Sequence, residues 1–472
     1  MLFNSIDFAV FLPIVFVLYW FVTHKNLKLQ NFLILFASYV FYGWWDWRFL
    51  ALIVFSTLVD FSVGNLMCKE EDTGKRKGYL WVSILVNIGF LGFFKYYNFF
   101  VESFVDAFSL FGSSFESGTL AIVLPVGISF YTFQTLSYTI DVYRRKLEPT
   151  QDILAFSAFV SFFPQLVAGP IERATNLLPQ FYSKRNFSYE KAADGMRQIL
   201  WGLFKKIVIA DNCAEYANLI FNNSDDYSGS TLIMGALFFT FQIYGDFSGY
   251  SDIAIGTARL FGFKLMQNFA FPYFSRDIAE FWRRWHISLS TWFRDYLYIP
   301  LGGSRGGTRS KIRNTFVIFI VSGFWHGANW TFIIWGLLNA LYFLPLLLLN
   351  RHRVNTDQVA ENRVYANVRE IGKMAITFVL TVFAWIFFRA DNVTHAFRYI
   401  HDLFSSEIIA FPEVVNIEVI SLVLFFMVIE WFGRPAQYAL EKITMFPRWL
   451  RWSFYFLLII LMFVFTGAQQ EF

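Results

Sequence analysis

Charge and cysteine are the two things this sequence has little of. Asp, Glu, Lys and Arg make up only 16% of 472 residues, and the net charge of +4 is scattered over short segments. Recognition of nucleic acid needs a basic face, which this pattern excludes. Cys68 and Cys213 are the only cysteines. Neither belongs to a CxxC pair or a Cys/His spacing, so neither a zinc centre nor a disulfide framework is expected. Both read as small buried apolar side chains. A nucleotide P-loop is also missing: Leu301–Arg309 is glycine-rich and basic but lacks the GxxxxGK[ST] layout. No low-complexity segment and no internal repeat interrupts the chain.

What remains is apolar. The AVILMFWYC set accounts for 56% of residues and phenylalanine alone for 62 positions. A water-soluble fold has too little interior to hide that much apolar surface, so lipid must be the solvent for much of it. A span needs about 20 largely apolar residues. The candidates are 6–23, 31–46, 49–67, 79–100, 119–140, 152–168, 199–218, 231–256, 314–350 as two passes, 371–388, 418–433 and 449–467. These runs are too long and continuous for the alternating strands of a barrel. The expectation is an all-α polytopic membrane protein, with residues 1–472 as one integral membrane domain. The first run lacks a basic preceding region and a small-residue cleavage site, which reads as a retained span.

Loop charge gives orientation. Lys25 and Lys28, then Lys69, Lys75, Arg76 and Lys77, then Arg144, Arg145 and Lys146 follow the first, third and fifth runs. The N-terminus is therefore expected outside. Simple alternation then fails, because 173–206 carries Arg173, Lys184, Arg185, Lys191, Arg197, Lys205 and Lys206 where the outer side is due. A re-entrant element over 152–171, broken at Pro164 and Gly169–Pro170, resolves the conflict. Broken backbone at membrane depth survives only when it is buried in protein or lines a wet cavity. The run 314–350 is flanked by basic residues at both ends. Asn314–Trp325 is 12 residues, about 18 Å of helix, so its turn is expected inside the membrane, at His326.

His326 stands in Ser322-Gly-Phe-Trp-His-Gly-Ala-Asn-Trp330. An ionisable residue in such a run is a functional candidate, and burial would keep its imidazole neutral and basic. Asn329, three residues on, reads as an oxyanion donor on the same helical face. A structural histidine bonded across helices is the competing reading. His286 lies in Phe281–Tyr296, where Phe281, Trp285, Ser288, Trp292 and Tyr296 fall at helical spacing. That aromatic stripe suits an interfacial helix. Trp282, Arg283, Arg284 and Trp285, with Gly302, Gly303 and Arg305 in the glycine-rich loop, are candidates for holding a phosphate-bearing donor; an interfacial belt and a plain basic loop explain the same residues. Tyr244–Asp252 puts two carboxylates into an apolar run, so Asp246 reads as a partner for a histidine such as His326, as a binder of a sugar hydroxyl, or as part of a helix break at an aqueous boundary. His24, His352, His395 and His401 read as solvated loop residues.

Together these segments resemble the membrane-bound O-acyltransferase (MBOAT) family, in its bacterial alginate O-acetylation branch. The resemblance rests on the opening Met1-Leu-Phe-Asn-Ser, Phe162–Glu172, Tyr244–Asp252, Phe281–Gly307 and Ser322–Trp330. It implies a bundle of roughly 11 transmembrane helices with re-entrant elements and a central tunnel. His326 matches the family's catalytic histidine and His286 its second functional histidine. The implied reaction passes an acyl group, acetyl being favoured, from a cytoplasmic acyl-CoA to hydroxyls of an envelope polysaccharide or peptidoglycan, or to a periplasmic or membrane-tethered esterase-like partner. No permanently bound cofactor, metal or nucleic acid is implied, and the expected location is the inner membrane. A transporter or flippase for polymer or acyl intermediates is the alternative, since broken helices with polar residues suit it too.

Overall fold

In hydrocarbon the backbone must satisfy its own polar groups, and a helix does so within one segment. The computed structural model, which describes residues 1–109, 118–125, 127–405 and 407–467, follows that rule. It is 74% helical and contains no strand among the described residues. Among the described residues, four helical stretches are long and apolar enough to cross a membrane: Leu27–Lys69, Thr73–Ser109, Trp330–Leu348 and Val368–Arg389. Their outward faces carry exposed side chains such as Phe36, Leu58, Leu85 and Val379, a surface stable only against lipid.

The chain divides into two compact units. Residues 1–192 with 257–266 form the first, and 193–256 with 267–472 the second. In the first, the helices Leu50–Lys69, Thr73–Leu91 and Ile128–Tyr143 pack on one another. Buried Asp60 ties them together, accepting from Ser83 Oγ at 2.6 Å and Asn87 Nδ2 at 2.9 Å. The run expected over 119–140 is helical only from Ile128, after Gly127 turns the chain at φ 75°. A side chain at Gly127 would overlap the Leu166 carbonyl.

The element over 152–171 is broken, at one of the two expected places and at one other. Helix Ile153–Val160 stops and Phe163–Leu166 restarts, so one break is Ser161–Phe162 and not Pro164, and the chain is non-helical again at Gly169–Pro170. Pro164 sits in the first turn of the second helix, where its missing N–H costs nothing. Several charges used for orientation are buried. Lys205, Lys206 and Arg185 are each 7% exposed or less. Arg76, likewise buried, donates to the Met67, Val142 and Tyr143 carbonyls at the ends of two helices. These four belong to the protein interior, so they carry no weight in a loop count. Of the cysteines, Cys213 is buried as expected, whereas Cys68 is exposed.

The helix Gly229–Leu260, whose residues up to Gly256 belong to the second unit, runs unbroken through Tyr244–Asp252, where a break was one expectation. Glycines explain how its polar residues are accommodated. Gly245, Gly249 and Gly256 leave no room for a Cβ against the backbone of Lys205, Gly202 and Gly195. Two helical runs thus approach at backbone distance. The hairpin carrying His326 pairs Gly307–His326 with Trp330–Leu348. Its first helix starts seven residues before the expected Asn314. At 20 residues it is about 30 Å long, with Arg309, Lys311 and Arg313 in its opening turns.

Candidate active site

His326 is the last residue of its helix. The extended Gly327 and the turn through Asn329 end the helix there, and Trp330 begins the next. The imidazole is half-buried and edged by three aromatic rings: Trp325 at 5.0 Å, Trp335 at 5.1 Å and Phe388 at 5.2 Å between centroids. Behind them Trp335 stacks on Trp385 at 5.7 Å, and Trp385 meets Trp285 at 5.1 Å. Such a tower of indoles is rigid, because each ring fills space the next would otherwise leave void.

His286 reaches the same neighbourhood from another element. The stripe over 281–296 does not form one interfacial helix. It is two short helices, Ile278–Arg284 and Ile287–Phe293, with His286 at φ 45° between them. Phe281, Trp285, Ser288 and Trp292 are buried, which places the stripe in the protein interior and not along an interface. Breaking the helix at His286 turns its ring toward Phe247 at 4.6 Å and Trp325 at 6.0 Å. Trp325 therefore touches both histidines. Full burial, and after it the nearby charge of His326, hold the His286 pKa well below the ordinary histidine value. Burial therefore favours the uncharged imidazole.

Two predicted roles are revised. Asn329 is not on the helical face of His326, because the helix has ended. Its Oδ1 caps the following helix by accepting from Thr331 N at 3.0 Å, and its Nδ2 donates to the Asp391 carbonyl at 2.7 Å. Its oxygen and one of its two N–H groups are thus committed to holding the turn, which makes it first a capping residue. Asp246 does not face a histidine. It pairs with Lys206 at 2.6 Å, and Lys206 also reaches Asp211 at 2.8 Å.

The donor-binding candidates are spread. Trp282 donates to Asn339 Oδ1 at 3.2 Å and packs on Phe319 and Trp335, a core position. Arg284 is bound to Glu280 at 2.8 Å. Arg283 is exposed and donates to the His352 and Asn355 carbonyls. Gly302 and Arg305 lie exposed in a turn where Gly302 has φ 101°, while Gly303 is buried under Asn314, whose Nδ2 donates to its carbonyl at 3.0 Å.

His395 is helical, not a loop residue, and meets Ser224 Oγ at 3.3 Å with Asp391 nearby. This resembles a catalytic triad, but the Asp391 backbone N–H donates to His395 Nδ1. The His395 Nδ1 is thus shared between that N–H and the Asp391 carboxylate at 3.4 Å, and does not have the single carboxylate partner of a triad histidine.

Sequence reading missed the buried polar network beside His286. Lys205 pairs with Asp252 at 2.6 Å and donates to Ser248. Glu430 accepts from Tyr244 and Trp201, and Asn268 holds His286 itself. Lys205 looked like a loop charge, and Asn268 has no periodicity or motif spacing to mark it.

An all-helical, multi-pass membrane protein with two histidines converging on one aromatic-walled site is thus defined. Residues 147–389, which contain both, match the model of the membrane-bound O-acyltransferase family. A probable alginate O-acetylase of Pseudomonas aeruginosa is 40% identical over 455 residues, 95% of this chain and 84% of that protein. A peptidoglycan O-acetyltransferase of Helicobacter pylori is 37% identical over 427 residues, 84% of this chain and 79% of the relative. A teichoic acid D-alanyltransferase of Bacillus subtilis is 30% identical over 231 residues, 46% and 57% respectively. The chain belongs to the membrane-bound O-acyltransferase family and is an O-acyltransferase.

Proposed function

We propose that the enzyme transfers an acetyl group from cytoplasmic acetyl-CoA to a hydroxyl of an envelope polysaccharide or peptidoglycan, directly or through a serine of a periplasmic or membrane-tethered partner. The observation that carries this is the aromatic cage that holds His326 at a helix end beside the neutral His286. The inner membrane, an outside N-terminus, about 11 spans and a tunnel to His326 complete the reading. The alginate, peptidoglycan and teichoic acid relatives support a polymer acceptor.

His326 acts as the base. It takes the proton of the acceptor hydroxyl as the oxygen bonds to the thioester carbonyl carbon. The C–S bond breaks, and the imidazolium returns the proton to the departing thiolate. Base assistance of this kind contributes about 10²–10⁴-fold. Arg283 and the turn around Gly302–Arg305 are the proposed contacts for the donor's phosphates.

The test is His326→Ala, read by mass spectrometry of polysaccharide and peptidoglycan from cells whose membranes hold equal amounts of protein. Loss of esters from polymer that still reaches the surface is expected. Esters at wild-type level would overturn the base assignment, and loss of the polymer itself would indicate a transporter.

A further inference from the structure

His286 has two ring nitrogens, and the surrounding bonds decide which one carries the proton. Its Nδ1 lies 3.0 Å from Asn268 Oδ1. That Asn268 atom must be the oxygen, because it also receives the Ser288 backbone N–H at 3.3 Å, a group that only donates, and the Ser288 hydroxyl at 2.8 Å. The other end of the amide then donates to Ser251 Oγ at 3.0 Å, so both ends of the side chain are held. An amide oxygen accepts, so Nδ1 must donate. Nε2 of the neutral ring then holds a lone pair and no proton. It is fully buried and has no hydrogen-bond partner, an expensive state for a polar atom unless something fills it during function.

The same asparagine builds the turn that presents the ring. Its backbone carbonyl accepts from Ile287 N at 2.9 Å, so Asn268 clamps both sides of the left-handed residue His286. Asn268, Ser251 and Ser288 are all buried, and water does not compete for these bonds.

We propose that Asn268 is a positioning residue that locks His286 in the Nδ1–H tautomer, so that Nε2 faces the reacting groups as a hydrogen-bond acceptor. This rests on the acyltransfer reading above for its function, but not for its chemistry. A neutral ring without a proton on Nε2 cannot donate to an oxyanion, so His286 serves the reaction as an acceptor.

The first measurement needs no variant and no turnover. In the full-length protein carrying ¹⁵N-histidine in nanodiscs, with His286→Gln as the assignment control, His286 should show a protonated Nδ1 and an unprotonated Nε2. The reverse pattern overturns the proposal whether or not the enzyme acylates anything. The second is Asn268→Asp, which keeps the acceptor but adds a negative charge against Nδ1. That charge favours imidazolium and raises the pKa of His286, on which His326 acts directly and beside which Lys205, Asp252 and Glu430 form the buried network described above. The acidic limb of kcat should move to higher pH, with activity recovered above it and KM for the donor little changed. An unshifted limb in folded protein removes the positioning role. Should the variant not fold, the ¹⁵N spectrum of the wild type still decides.

Discussion

Lys206 sets its ammonium 2.6 Å from Asp246 and 2.8 Å from Asp211, in a position only 6% exposed. Two carboxylates share one cation, and this asymmetry predicts unequal mutants. Removing the lysine leaves two buried negative charges facing each other, and breaking a buried pair in this way costs about 3–5 kcal/mol. Asp246→Asn leaves Lys206 paired with Asp211 and costs far less. Thermal unfolding of purified protein in detergent, followed by tryptophan fluorescence, should place Lys206→Met well below Asp246→Asn. Adding Asp246→Asn to Lys206→Met should recover part of the loss, because one stranded charge is then gone. Equal midpoints for the two single variants would mean that water reaches the cluster.

That cluster also shows where sequence reading runs out. Helical class, the hairpin around His326 and the broken element after residue 152 were all legible, because apolar run length and backbone satisfaction in lipid leave few alternatives. The partner of Asp246 was not. Lys206 lies 40 positions away on another helix, and only the glycine-lined approach of Gly245 and Gly249 brings the two together. The assumed stripe over 281–296 failed for a similar reason. Periodicity continued through His286, but the bonds from Asn268 hold that residue in a conformation no helix contains. Local pattern carries no information about a clamp that arrives from 18 residues upstream.

The capping role of Asn329 gives the second prediction. A cap worth about 1 kcal/mol is lost on replacement by alanine, whereas serine preserves it. Removing a true oxyanion donor would lower kcat about 10²–10³-fold. Asn329→Ser should therefore keep kcat within a few-fold of wild type, and Asn329→Ala should lower the unfolding midpoint more than it lowers kcat. A hundredfold loss of kcat in Asn329→Ser, with stability unchanged, would restore the catalytic role.

The hairpin that carries His326 gives the third. Where Gly307–His326 crosses Trp330–Leu348, Gly323 faces the Phe332 carbonyl and Gly336 faces the Phe319 carbonyl, and a Cβ at either position would overlap backbone. A main chain cannot swing aside as a flexible side chain does, so alanine there must push the helices apart. Overpacking of this sort costs about 1–3 kcal/mol. It should also cost activity, because Trp335 and Trp325, which wall the histidine, belong to the two helices being separated. Gly372, in the neighbouring helix Val368–Arg389, is the control. Nothing lies within 4 Å of its virtual Cβ, and glycine inside a helix is itself unfavourable by about 0.5–1 kcal/mol relative to alanine. Gly372→Ala should thus leave stability unchanged or slightly raised and activity intact, while Gly336→Ala lowers both. If the two variants behave alike, close contact across the hairpin is not what holds His326 in place.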